Sequence, residues 1–338
     1  MSILSLSFNQ SISHLVACSE NGYVIYELSP KKNETDNKKT DIEKKKSVDK
    51  GGGVGLMKMF HTSNICLLVG GGINPFKPKD TVVMRDDYKN SDIMEIDLQK
   101  PIKNILIDDV KTIVCVLQKE LLVFNFDGKL QYTKPTYSND RGLCCLHVKE
   151  GKQMIATLGM KKGEVAIWNI NQESYKVIQA HNSNIEIISM NQQGTLLGTA
   201  SETGTLIKIF NIASGKQLYE FRRGSTSAKI YDICFNKDST IITCCSSNGT
   251  VHIFELYKDE KETKNAQSYL SGFKEYLPSY FGSQWGFKQI SIPSTDRMIC
   301  GFDSNNTLHI ASLDGKYYKL CGPNFDNLKQ SELHVNSK

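Results

Sequence analysis

Two adjacent arginines, Arg222 and Arg223, stand in the stretch Phe221-Arg222-Arg223-Gly224. Strand-like runs flank them: 206–210 and 217–221 before, 230–235 after. In extended backbone successive side chains point to opposite faces, so the pair is poorly placed to close on one small anion. It is better placed to serve two neighbouring pockets, one on each side of the chain. The chemistry this suits is phosphate recognition, because a planar guanidinium gives paired, charge-assisted hydrogen bonds. Gly224 lets the backbone turn sharply or approach a ligand closely. Alone, such a pair is more often solvated surface charge, so the neighbours decide.

Those neighbours are rich in short hydroxyl and imidazole side chains. Ahead of the arginines lie His181, Thr199, Ser201, Thr205 and Lys208, with Gly204; beyond them lie Ser246, Ser247, Thr250 and His252, with Gly249. Hydroxyls and glycine-exposed backbone N–H groups donate to phosphate oxygens. A partly charged imidazole adds a donor that strengthens as pH falls. Each Ser or Thr by itself is ordinary strand polarity; two such sets bracketing paired arginines are less easily accidental.

The elements that position these residues follow from a repeat. A turn residue and four to six apolar or alternating residues recur at Gly22, Asp80, Glu120, Gly163, Gly204, Gly249 and Asn306, with successive separations of 58, 40, 43, 41, 45 and 57. A period of roughly 40–45 residues with four short strands per unit predicts an all-β, seven-bladed β-propeller of WD40 type. The whole chain, residues 1–338, is expected to form that one propeller. The two long separations mark insertions. Residues 30–53, rich in Lys and Asn and closing on three glycines, are expected to be a disordered insertion in blade 2. Residues 257–284 differ in kind, carrying Tyr269, Leu270, Phe273, Tyr276, Leu277, Tyr280 and Phe281. A long amphipathic loop with so many apolar residues needs somewhere to put them. They either fold back on the blade or enter a membrane surface, where aromatic rings sit well among head groups. The run Val69-Gly70-Gly71-Gly72 lacks the spacing of a nucleotide loop and reads as a tight turn.

Composition narrows the class. The apolar share is 39% and the charged share 23%, which fits a globular protein with ample core at 338 residues. Apolar runs are broken within a few residues and the N-terminus lacks the features of a signal peptide, so a cytoplasmic protein is expected. The ten cysteines form no C-x-x-C pair and read as small buried hydrophobes, not as a metal site. The net charge of +5 is concentrated: residues 31–50 supply +3 of it. A nearly balanced remainder argues against nucleic acid and leaves any anion site local. No paired carboxylates or nucleophile motif suggests an enzyme, and no cofactor is indicated.

At Leu218-Tyr219-Glu220-Phe221-Arg222-Arg223-Gly224 the chain resembles the PROPPIN family, seven-bladed propellers of the WIPI type that bind phosphoinositides. Residues 68–72, 200–208 and 246–254 carry the resemblance as well. It implies recognition of phosphatidylinositol 3-phosphate and phosphatidylinositol 3,5-bisphosphate at two rim sites. By motif match His181, Ser201, Thr205, Lys208 and Arg222 would line the first, and Arg223, Gly224, Ser247, Thr250 and His252 the second. It also implies that the loop 257–284 dips into the bilayer, that the protein is a monomer peripheral to autophagosomal, endosomal or vacuolar membranes, and that an autophagy lipid-transfer or tethering protein is a partner. Four residues depart from the family pattern. Lys208 stands where many members have Arg, Arg85 where a tryptophan is common, and Asp108-Asp109 where some members use basic residues to hold a scaffold. The rival reading is a WD40 scaffold that binds proteins and no lipid.

Overall fold

Turn residues that punctuate short apolar runs favour antiparallel hairpins laid side by side. A computed structural model of the protein describes residues 2–30, 41–149, 152–170, 174–256, 284–322 and 324–335. Within these, seven four-stranded antiparallel sheets form, each with its strands in chain order, and one gains a short fifth strand. These are the blades, and they gather into two compact units, residues 1–142 with 301–338, and residues 143–300.

The first unit holds blade 1 (Ile3–Phe8, His14–Ser19, Gly22–Leu28, Ile42–Asp49) and blade 2 (Val54–Met59, Ile65–Gly70, Thr81–Asp86, Ser91–Asp97). It also holds blade 3 (Asn104–Ile107, Ile113–Val116, Glu120–Phe124, Leu130–Pro135). Blade 7 (Met298–Phe302, Leu308–Ser312, Lys316–Cys321, Asn327–Glu332) belongs here, its first strand beginning just before the boundary. Side-chain alternation explains why the runs look continuously apolar. On the strand Ile65–Gly70, Leu67 and Val69 enter one core cluster while Cys66 and Leu68 enter another. Both faces are buried. Lys319 of blade 7 donates to Ser29 of blade 1 at 2.6 Å and pairs with Asp41 at 3.1 Å.

The segment 30–53 departs from its expectation. Residues 42–49 are not a disordered insertion in blade 2 but the fourth strand of blade 1, in register from Gly22↔Asp49 to Leu28↔Ile42. An outer strand needs only one ladder and little apolar surface, so its lysines are compatible with order. Lys45 pairs with Glu27 at 2.7 Å, and Lys46 with Asp87 at 2.7 Å. Residues 31–40 lie outside the described residues. The glycine run also differs from a tight turn. It opens the ten-residue link to Thr81, and a Cβ at Gly70 would lie 1.7 Å from the Lys77 carbonyl oxygen. Arg85 is buried, with its Nη1 donating to Asp92 at 2.9 Å, Nη2 donating to Asn90, and Asp87 3.6 Å from Nε. Tyr23 donates its hydroxyl to the same Asp87, so a buried ionic network occupies the place where a tryptophan was the family expectation.

The second unit holds blade 4 (Cys144–Lys149, Lys152–Leu158, Glu164–Asn169, Ser174–Gln179) and blade 5 (Ile185–Met190, Leu196–Ser201, Leu206–Asn211, Gln217–Arg222). Blade 6 follows (Ile230–Phe235, Ile241–Ser246, Thr250–Glu255, Lys288–Ser291). Ile207, Phe221, Ile230, Ile242 and Phe254 close the core between blades 5 and 6.

Candidate functional site

The register of blade 5 assembles the first group of site residues. Thr199 pairs with Lys208, and Lys208 with Glu220, across three strands. Directly opposed residues share a face, and so do residues two apart. Ser201 and Arg222 therefore lie on the face of Thr199, Lys208 and Glu220. Phe221 turns the other way, its ring 4.8 Å from that of Phe254 in the core. His181, in the link from blade 4, places Nε2 3.0 Å from the Thr199 hydroxyl. Burial, and then the Lys208 charge, bring its pKa down to about 4. Lys208 itself sits 3.9 Å from the Glu220 carboxylate. Ser201 shares a hydrogen bond with the Thr203 hydroxyl at 2.9 Å, and the Thr205 carbonyl accepts the Arg223 N–H at 2.9 Å.

Blade 6 assembles the second group. Ser246 pairs with Thr250 and Cys244 with His252. A hydrogen-bonded chain runs from the Ser246 hydroxyl to that of Thr250 at 2.9 Å, and on to His252 Nε2 at 3.1 Å. Burial, and then the charge of Arg223, bring His252 to about 4. Arg223 thus faces the blade 6 set while Arg222 belongs to the blade 5 set, as strand alternation predicts. On the fourth strand of blade 6, Gln289 lies opposite His252 and Ser291 opposite Thr250.

The arginines are not solvated surface charge. Arg222 is 6% exposed and Arg223 4%. Arg223 donates Nε to the Gly204 carbonyl at 2.9 Å and Nη2 to the Thr226 carbonyl, so two of the five donors of a guanidinium are committed to backbone. Three further expectations change. Both imidazoles are neutral at neutral pH, because burial beside a cation disfavours the charged form, so neither is the partly charged donor read from sequence. Ser247 does not join the blade 6 chain: its hydroxyl accepts the Lys229 N–H at 3.1 Å and its N–H donates to the Lys229 carbonyl, while Ser246 takes the place beside Thr250. Gly224 is not required by the turn, since a Cβ there would meet nothing within 4 Å. Gly204 is required, with φ at +62° and the Ala228 carbonyl oxygen 1.7 Å from a hypothetical Cβ. Residues Tyr269, Leu270, Phe273, Tyr276, Leu277, Tyr280 and Phe281 lie outside the described residues. At the end of that segment, Gln284 and Trp285 pair in parallel with Phe221 and Arg222 as the fifth strand of blade 5. Glu220 and Gln289 were not picked out from sequence; the parity of Glu220 with Arg222 was the available signal.

Seven four-stranded blades with a repeat of roughly 40–45 residues define a β-propeller. Over residues 2–284 the chain matches the family model described as PROPPIN, and it belongs to that family of autophagy-related propellers, known for phosphoinositide binding. It is 30% identical to "Autophagy-related protein 18e" of Arabidopsis thaliana, covering 98% of this chain and 87% of that protein. It is 29% identical to "SVP1-like protein 2" of Pichia angusta, covering 88% and 84%. Its fold is similar to that of Kluyveromyces lactis Hsv2, with a TM-score of 0.72 at 18% identity over 99% of each chain. The fold also resembles that of KlAtg21 in its complex with the coiled coil of AgAtg16, with a TM-score of 0.73 at 22% identity over 99% of this chain and all of that one. Among the described residues no helix is long and apolar enough to cross a membrane.

Proposed function

We propose that this propeller is a phosphoinositide-binding peripheral membrane protein. It holds phosphatidylinositol 3-phosphate and phosphatidylinositol 3,5-bisphosphate at two sites flanking residues 221–224 and recruits autophagy or trafficking partners to the membranes that carry them. The observation that supports this reading is the division of labour along one strand end. Arg222 shares a blade 5 face with Lys208, Thr199 and the His181 ring, and Arg223 faces the Ser246–Thr250–His252 chain of blade 6. Each group offers a cation, hydroxyl donors and an imidazole, which is the donor set of a phosphomonoester site.

The mechanism is coincidence binding. One head group at one site is a weak tether, and a partly inserted loop alone is marginal. On one rigid scaffold the second contact is intramolecular, at an effective concentration in the millimolar range or so, and stable anchoring takes two signals. Arrival of a phosphate dianion also relieves the cation–imidazole repulsion, so bound lipid raises the pKa of both histidines. The aromatic residues of 257–284 would supply the third contact. Autophagosomal, endosomal or vacuolar membranes are the proposed locations. The complex of KlAtg21 makes a coiled-coil autophagy protein a partner class to test alongside a lipid-transfer or tethering protein.

Replacing Arg222 and Arg223 together by Thr is expected to abolish flotation with vesicles containing phosphatidylinositol 3-phosphate while leaving circular dichroism unchanged. Undiminished flotation of the double variant refutes the assignment. A second reading, a protein-binding scaffold indifferent to lipid, is favoured by the commitment of Arg223 to the Gly204 and Thr226 carbonyls. It predicts that wild-type protein ignores vesicle composition.

A further inference from the structure

The two groups are built to one plan, and the charge of the fourth-strand residue distinguishes them. In blade 5 the row across the sheet runs Thr199, Lys208, Glu220; in blade 6 the matching row runs Cys244, His252, Gln289. The third-strand residue is a proton-binding or cationic donor in both. The fourth-strand residue opposite it is a carboxylate in blade 5 and a neutral carboxamide in blade 6. Glu220 lies 3.9 Å from the Lys208 ammonium, and both side chains are 22% exposed. It also shares its face with Arg222, two residues on. A phosphate reaching Lys208 and Arg222 must therefore come within a few ångströms of an anion that already holds one of those cations.

Resting on the phosphoinositide reading above, we propose that Glu220 is a specificity-determining residue of the blade 5 site: it competes with the incoming phosphate for Lys208 and sets how tightly that site binds. When the site is empty, the carboxylate holds the ammonium. When a head group arrives, Lys208 turns from Glu220 to a phosphate oxygen, and the carboxylate remains as a like charge beside the ligand. The blade 6 site has no such competitor in its row. The two sites are therefore unequal by construction, blade 5 being the one whose occupancy breaks an ion pair and leaves a carboxylate beside the phosphate.

The test isolates the blade 5 site in the full chain by Thr250→Ala with His252→Ala, and titrates it with soluble inositol 1,3-bisphosphate by calorimetry. The isosteric Glu220→Gln change in that background is expected to tighten binding about threefold to tenfold, the range set by one partly exposed ion pair and one removed repulsion. The gain should shrink as salt is raised. It should also shrink when Lys208→Met is present, because the competition for the ammonium is then gone and only the removed repulsion remains. Unchanged or weaker binding by Glu220→Gln overturns the proposal, and so does a gain that Lys208→Met leaves undiminished. Wild-type protein with both sites intact is the control. If it binds neither the bisphosphate nor vesicles of phosphatidylcholine with phosphatidylinositol 3-phosphate, the phosphoinositide reading itself falls, and the proposal with it. Thermal melts establish that each variant is folded at the titration temperature.

Discussion

His252 makes the folded state sensitive to acid by a calculable amount. Its imidazole is buried beside Arg223, and its pKa falls from 6.5 to about 4. In the unfolded chain the ring takes a proton once pH drops below 6.5; in the folded protein it does not until pH nears 4. Between those limits the unfolded state binds more protons, so stability is complete above 6.5 and declines as pH falls. At 1.36 kcal/mol per pKa unit the full effect is roughly 3 kcal/mol, and about 2 kcal/mol has developed by pH 5. The perturbation is His252→Gln, which keeps a polar group near the Thr250 hydroxyl and removes the titration. Urea unfolding at pH 7 and pH 5, followed by circular dichroism, measures the loss for each protein. The variant should lose about 2 kcal/mol less than wild type over that interval. Parallel losses, or an imidazole that titrates near 6.5 by NMR in the folded protein, would refute the argument that burial and Arg223 hold the ring neutral.

Gly204→Ala should destabilise the protein by roughly 2 kcal/mol or more, since it combines positive φ with a backbone clash, whereas Gly224→Ala should stay within about 0.5 kcal/mol; chemical denaturation of the two variants compares them directly. Asp87→Ala strips Arg85, Lys46 and the Tyr23 hydroxyl of a shared anion and should cost on the order of 3–5 kcal/mol, read as a drop in melting temperature. Burial pushes the thiols of Cys18, Cys66 and Cys115 up to about 12, so iodoacetamide should label them only after unfolding, as mass spectrometry of native and denatured samples would show.

Much of the fold was legible because a repeat is a statement about local sequence. Six of the turn-then-strand landmarks correspond to the third strands of blades 1 to 6 and the seventh, at Asn306, to the second strand of blade 7, and no long-range information was needed to count them. The segment 42–49 was illegible for a physical reason. The outermost strand of a blade is held by one ladder and by salt bridges to Glu27 and Asp87, neither of which leaves an apolar pattern. Ser246 and Ser247 could not be told apart from sequence either, because one residue of register at the strand end decides which hydroxyl meets Thr250.

Sequence by itself determined that Arg222 and Arg223 point apart, since alternation is a property of any extended chain. It also determined which polar residues bracket them. Tertiary structure decided what those residues are before a ligand arrives. Packing between blades buries both arginines and keeps His181 and His252 neutral, because the cost of charging an imidazole depends on surroundings that residues far along the chain supply. Strand register alone set Glu220 against Lys208 and Gln289 against His252, pairings that follow from which backbone groups meet across the sheet and that no short stretch of the chain encodes.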